Sequence, residues 1–148
     1  MLKRKVTATD APPSLILVRL AVGAVFLSEG VQKFLYPADL GVGRFTKIGI
    51  PSPEIMAPFV GVVEIVCGAL VLAGFLSRLA ATALIIDMLV AISTTKIPLL
   101  LRSGFWAMAH EARTDYAMLL CLICLLVAGA GRWSADARLS SEPISRPG

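Results

Sequence analysis

The sequence has little charge, one histidine and three cysteines. Only 16% of its 148 residues are charged, against about a quarter in soluble domains, and 57% are hydrophobic. This composition excludes a disordered chain, and the basic residues that give the net charge of +4 form no patch of the kind that binds nucleic acid. Three cysteines do not make a disulfide framework, and a single histidine argues against a conventional zinc or haem centre.

Common catalytic motifs are also missing. The sequence contains no dinucleotide-binding glycine motif, P-loop, H-E-x-x-H or G-x-S-x-G. Cys121 and Cys124 form a C-x-x-C, which is a redox motif at the start of a helix. Because this pair lies well inside an apolar run, we favour the alternative of two buried, inert thiols. For His110 beside Glu111, the alternatives are a metal or proton site and a loop histidine in water.

Long apolar runs are the main feature of the chain. A membrane-spanning helix needs about 20 mostly apolar residues, and four segments approach that length. They are 14–36, 57–76, 79–101 and 116–130. Lys96 and Pro98 interrupt the third segment, and the fourth is the shortest. Within each segment, Leu, Ile, Val and Ala occupy every face of the helix, as lipid-exposed helices require. We therefore predict an all-α integral membrane four-helix bundle, with a short interfacial helix near 40–47 and a loop over 102–113.

Basic residues favour one orientation of this bundle. Four spans place both termini on the same side, which then holds seven Lys and Arg residues against five in the loops of the far side. This bias predicts that both termini are cytoplasmic. The basic residues 3–5 before an apolar segment also fit a signal peptide. We favour an uncleaved first span, because three more spans follow.

Four charged residues lie inside the predicted spans, where insertion costs roughly 2.5–3.5 kcal/mol each. They are Glu29 and Lys33 in the first span, Glu64 in the second and Asp87 in the third. Arg19 lies near the cytoplasmic edge of the first span, where its side chain is expected to extend to the membrane surface. Helical spacing places the four charged residues on faces of small residues, which pack helix against helix. Those small residues are Gly23, Gly30, Gly61, Gly68, Ala83 and Ala91. The charged residues are either structural contacts or a functional site, and both readings place them inside the bundle.

Three stretches, 19–37, 49–81 and 115–137, resemble the DoxX family of small bacterial membrane proteins. The most specific motifs are G-x-x-K at Gly30, E-x-x-x-G at Glu64 and G-x-G-R-x-S-x-D over 129–136. The resemblance implies a multi-pass bundle of the bacterial inner membrane, with a DoxX-like domain over 14–133 and cytoplasmic tails over 1–13 and 134–148. Asp115 stands where relatives often carry Glu, and Asp87 is not a general family feature.

The same resemblance implies membrane redox chemistry, because named relatives are linked to thiosulfate–quinone oxidoreduction and to oxidoreductase assemblies that handle thiol stress. We expect an accessory or small subunit of a redox system that acts near quinone or thiol and sulfur substrates. The alternative is a non-enzymatic structural subunit. A quinone is the candidate cofactor. The expected partners are the lipid bilayer and a larger membrane complex or further copies of this chain, with no nucleic acid.

Candidate site residues follow from that interpretation. Glu29, Lys33 and Glu64 are predicted to converge as a polar centre and are the catalytic candidates. Lys33 would supply positive charge to an anionic or quinone oxygen, and a carboxylate would carry protons. The ligand-binding candidates are Asp87, together with His110 and Asp115 at the outer mouth of the bundle.

Overall fold

The computed structural model describes residues 11–141, within which every regular element is an α-helix. The helices are α1 (Leu15–Leu35), α2 (Val42–Lys47), α3 (Pro53–Ala73), α4 (Ser77–Glu111), α5 (Arg113–Ala128) and α6 (Ala135–Ser141). The all-helical prediction is confirmed for this part of the chain, and α2 coincides with the predicted interfacial helix.

Three of these helices, α1, α3 and α4, are long and apolar enough to cross a membrane. The bounds of α1 match the first predicted span to within one residue at each end. In contrast, α5 has 16 residues, fewer than the roughly 20 of a typical spanning helix. Successive long helices run antiparallel, and α5 packs against both α4 and α1.

The predicted loop over 102–113 is wrong. The α4 helix continues through Pro98 to Glu111, and α5 begins two residues later, at Arg113. The one non-helical residue inside α4 is Gly104, with φ 80° and ψ 176°, which kinks the helix there. A proline inside a helix removes a single backbone hydrogen bond and bends the helix, so it need not end it.

Glycines allow α1 and α3 to pack closely. Gly23 and Gly30 of α1 are buried against Gly61 and Gly68 of α3. A Cβ atom on Gly30 would lie 2.7 Å from the carbonyl oxygen of Gly61, and one on Gly68 would lie 2.8 Å from the backbone nitrogen of Leu27. The predicted small-residue contact is therefore confirmed for this helix pair. On α4 the predicted alanines, at 83 and 91, are only half-buried.

The end of the molecule that carries the turn from α3 to α4, here called the closed end, is held by Arg19. Its side chain is only 3% exposed, so the expectation that it reaches out to the membrane surface is wrong. The guanidinium donates to the carbonyl oxygens of Val71, at 3.0 Å, and of Leu72, and to that of Trp133 at 2.6 Å. The last carbonyls of a helix lack partners within it, and Arg19 supplies donors to those of α3.

Asp136 caps the next helix at the same end. Its carboxylate accepts hydrogen bonds from the backbone N–H groups of Leu76 and Ser77, at 2.8 and 3.0 Å, where α4 begins. Its own N–H donates to the carbonyl oxygen of Gly74. The segment after 133 was predicted as a polar tail. The structure instead folds its first part, α6, against the helices, while 142–148 and 1–10 lie outside the described residues.

Apolar side chains fill the half of the molecule next to the closed end. Fully buried there are Val22, Val71, Leu84, Leu122 and Leu125, one or two from each long helix. Large apolar residues on the outer faces remain exposed, among them Leu17, Phe59, Val66, Leu79, Ile86 and Val127. An exposed apolar surface of this extent fits contact with lipid.

Replacing Gly30 with alanine should destabilise the α1–α3 contact. The added methyl group would meet backbone atoms of α3, which cannot move aside, so Gly30→Ala should lower the free energy of unfolding by about 1–3 kcal/mol. The measurement is thermal unfolding in detergent micelles, followed by circular dichroism. The control is Ala24→Val, which adds volume at an exposed position of the same helix. Equal midpoints for the two variants would contradict the close packing.

Candidate functional site

An ion pair between α1 and α3 forms the centre of the candidate site. The Lys33 ammonium nitrogen lies 2.6 Å from a carboxylate oxygen of Glu64, and the two side chains are 11% and 6% exposed. Lys33 lies in the last turn of α1, whereas Glu64 lies in the middle of α3 on its glycine face. The predicted convergence of Lys33 and Glu64 is confirmed.

Asp87 joins this pair from a third helix. Its carboxyl group lies within hydrogen-bonding reach of the Glu64 carboxyl group and close enough to Lys33 for direct electrostatic interaction. Among the described residues only Glu64 forms an ion pair with Lys33, while Asp87 interacts with Lys33 from a greater distance. Two carboxyl groups that close are most stable when they share a proton or a cation. We call Lys33, Glu64 and Asp87 the inner cluster.

Glu29 does not complete the predicted centre. Its side chain is exposed, and within residues 11–141 it forms no ion pair with Lys33. It does line the same cavity as the inner cluster. The prediction used the helical spacing of Glu29 and Lys33, which places them on one side of α1. The Lys33 side chain instead turns to the buried Glu64, where an opposite charge in an apolar setting attracts it more strongly.

A cavity of about 410 Å³ adjoins the inner cluster. It lies between the α1–α3 pair and the α4–α5 pair, towards the end of the molecule that carries α2 and the junction of α4 with α5, here called the open end. Its apolar lining includes Phe26, Phe45, Met56, Val60, Met88 and Met118. Mostly apolar cavities of this size, with a few polar groups, are typical of small-molecule sites.

A second charged cluster lines the same cavity nearer the open end. The buried Lys96 ammonium lies 3.0 Å from a carboxylate oxygen of Asp115 and 4.0 Å from one of Glu111. We call these three residues the outer cluster. The apolar pattern of the sequence shows Lys96 only as an interruption of the third span, so this pairing was not predicted. The sequence contains a signal for this pairing. Lys96 and Asp115 lie on either side of one connection between consecutive helices, and such a connection brings the flanking residues close together.

Of the two candidates predicted at the outer mouth, Asp115 lines the cavity and His110 does not. The His110 side chain is exposed elsewhere on the surface. Cys121 is half-buried and Cys124 is exposed, and neither lines the cavity. The description of both thiols as buried is therefore wrong for Cys124.

Comparison with known proteins identifies relatives of this chain. The DoxX family model matches residues 14–97. An uncharacterized membrane protein of Mycobacterium tuberculosis is 58% identical over 139 residues, which cover 90% of this chain and 85% of that protein. The "Putative oxidoreductase CatD" of Bacillus subtilis is 30% identical over 115 residues, 78% of each chain. No solved structure matches the chain significantly.

Removing the inner ammonium should cost more stability than removing the Glu64 charge. Lys33→Met leaves the buried Glu64 and the half-buried Asp87 without a nearby cation, and breaking a buried pair in this way typically costs about 3–5 kcal/mol. Glu64→Gln should cost less, because Asp87 remains beside Lys33. Thermal unfolding in detergent measures both variants. Lys47→Met, at an exposed position of α2, is the matched control. If Glu64→Gln is the more damaging change, Asp87 does not share the ammonium.

Proposed function

This chain belongs to the DoxX family of membrane proteins, and from that premise we propose that it is an accessory or small subunit of a membrane redox system. In this proposal it crosses the bacterial inner membrane four times, with α5 as the fourth span, and binds a quinone in the cavity beside the inner cluster. The relative named as an oxidoreductase supports the redox assignment.

The observation that carries the proposal is that the inner cluster faces a cavity. Charged groups that only join helices are best enclosed, with every donor and acceptor satisfied by a neighbour. Here Lys33, Glu64 and Asp87 line a space of about 410 Å³ whose walls are mainly apolar. A quinone has a flat apolar ring with polar oxygens at its edge, which suits this combination of walls and charges.

The chemistry proposed for each residue follows from its charge. With a quinone in the cavity, the Lys33 ammonium would donate a hydrogen bond to a quinone oxygen and would favour negative charge on it. The carboxyl groups of Glu64 and Asp87 would hold protons beside that oxygen and transfer them to it. The electrons come from a partner oxidoreductase or from a thiol or sulfur substrate. The partner in this proposal is a larger membrane complex, or further copies of this chain.

A structural subunit is the alternative function, and one observation favours it. Lys33 and Glu64 already neutralise each other at 2.6 Å, so the pair is satisfied without a ligand. Purification in mild detergent separates the two proposals. A large partner at fixed stoichiometry without quinone supports the structural subunit, whereas a quinone in the organic extract supports the redox subunit.

Glu64→Gln should lower quinone retention without unfolding the protein. The amide keeps the shape and hydrogen bonding of the carboxyl group but cannot release a proton, and it weakens the hold on Lys33. We expect a loss of about tenfold in quinone recovered per protein, the size of a 1.4 kcal/mol change in binding. The measurement is mass spectrometry of lipid extracts from the purified protein.

Glu54→Gln is the matched control, because Glu54 is exposed at the start of the same helix and does not line the cavity. Equal quinone content in the two folded variants would leave only the structural interpretation. Absence of quinone from the wild-type protein, together with failure of a short-chain quinone to raise its unfolding temperature, would contradict quinone binding.

The proposed topology predicts that both termini and the turn from α3 to α4 are cytoplasmic. A single cysteine introduced by Ser140→Cys, in a background with the three native cysteines replaced, should therefore resist a membrane-impermeant thiol reagent in intact cells. The same variant should react once the membrane is permeabilised. Reaction in intact cells would show that this terminus is outside and overturn the orientation.

A further inference from the structure

The apolar core and the charged cavity lie in different halves of the molecule. Towards the closed end, Val22, Leu84 and Leu122 belong to a continuous core of fully buried apolar side chains. Towards the open end, the helix pairs separate around the cavity that holds both charged clusters. Any route for water or ions to the inner cluster therefore starts at the open end, because the apolar core separates that cluster from the closed end.

The cavity extends from the middle of α4 to the open end. Asp87 lies ten residues beyond the start of α4 at Ser77, which places it about 15 Å along the helix at 1.5 Å per residue. Lys96 lies nine residues further, roughly 13 Å closer to the open end. Between them Ala91, Thr94 and Thr95 line the wall. The inner and outer clusters are thus two levels of one cavity.

The outer cluster marks the mouth. Exposure rises from Lys96 at 11% through Asp115 at 26% to Glu111 at 63%, so the cluster reaches from the protein interior into the surroundings. Among the charged side chains of the lining, five are acidic and three are basic. A narrow space with low-dielectric walls concentrates the field of such an excess and attracts cations.

We propose that the cavity is a water-filled vestibule that attracts cations, enters the protein past Lys96 and Asp115, and ends at Glu64 and Asp87. It delivers protons and small hydrated cations to the inner cluster from one side of the membrane only. Beyond Asp87, the fully buried Leu84 and Val71 block passage to the closed end. The inference depends on the charge and shape of the cavity and is independent of quinone binding.

Cysteine accessibility tests this proposal. Ala91→Cys, in a background with the native cysteines replaced, puts a thiol on the vestibule wall between the two clusters. Leu89→Cys is the matched control, since Leu89 lies on the same helix but is exposed on its outer face, away from the cavity. Glu54→Cys, exposed at the open end, reports that the reagent reaches that side. Cationic and anionic methanethiosulfonate reagents are applied to intact cells and to inside-out vesicles.

We expect Ala91→Cys to react from the same side as Glu54→Cys and not from the other, while Leu89→Cys stays unreactive. For Ala91→Cys, the rate of reaction with the cationic reagent divided by the rate with the anionic reagent should exceed the same ratio for a free thiol in solution by about tenfold. Adding Glu111→Gln and Asp115→Asn should reduce this ratio several-fold, because they remove the acidic charges at the mouth.

Three results would overturn the proposal. If Ala91→Cys is unreactive where Glu54→Cys reacts, the cavity is closed to water or filled by lipid. Reaction of Ala91→Cys from both sides would show that the closed end is permeable, and a ratio equal to that of a free thiol would show no attraction of cations. Quinone retention is measured on separate variants, so failure here leaves the redox proposal to its own test.

Discussion

The guanidinium group of Arg19 is the interaction on which the rest of the structure depends. It donates to carbonyl oxygens at the end of α3 and in the segment after α5, and so joins three parts of the chain at the closed end. Carbonyl groups at a helix end need donors from elsewhere, and in an apolar setting water cannot provide them. The Asp136 carboxylate accepts hydrogen bonds from the backbone N–H groups where α4 begins, which also lack partners within their helix. With these groups satisfied, α1 and α3 are held in register for their glycine contact.

Closing one end confines the other charged groups to the opposite half. Lys33 and Lys96 are each placed against carboxylates from neighbouring helices, at 2.6 and 3.0 Å, because an unpaired charge in a low-dielectric interior is costly. Both ion pairs border one cavity rather than a sealed contact. This asymmetry between an apolar core next to the closed end and a charged cavity towards the open end underlies the proposed quinone site and the one-sided vestibule.

Several features could be predicted from the sequence because they depend on local spacing and on desolvation cost. The glycines of α1 and α3 repeat at helical intervals, and they meet as expected. Glu64 has no opposite charge on its own helix, which predicts a partner on another helix, and Lys33 is that partner. The errors concern residues with more than one available environment. Arg19 lies near a predicted membrane surface but is turned inwards to carbonyl oxygens at the end of α3, and α4 continues past Pro98 and is kinked only at Gly104.

The sequence by itself determined the helical class, the presence of helices long and apolar enough to cross a membrane, and the faces by which α1 and α3 pack together. Only the tertiary structure decided which polar groups contact each other. These contacts are those of Asp87 with Glu64, of Lys96 with Asp115, and of Asp136 with the backbone N–H groups where α4 begins. The reason is geometric. A helical repeat sets the direction in which a side chain leaves its own axis, whereas its partner depends on how far neighbouring helices slide, splay and kink, and those displacements come from the packing of all helices together.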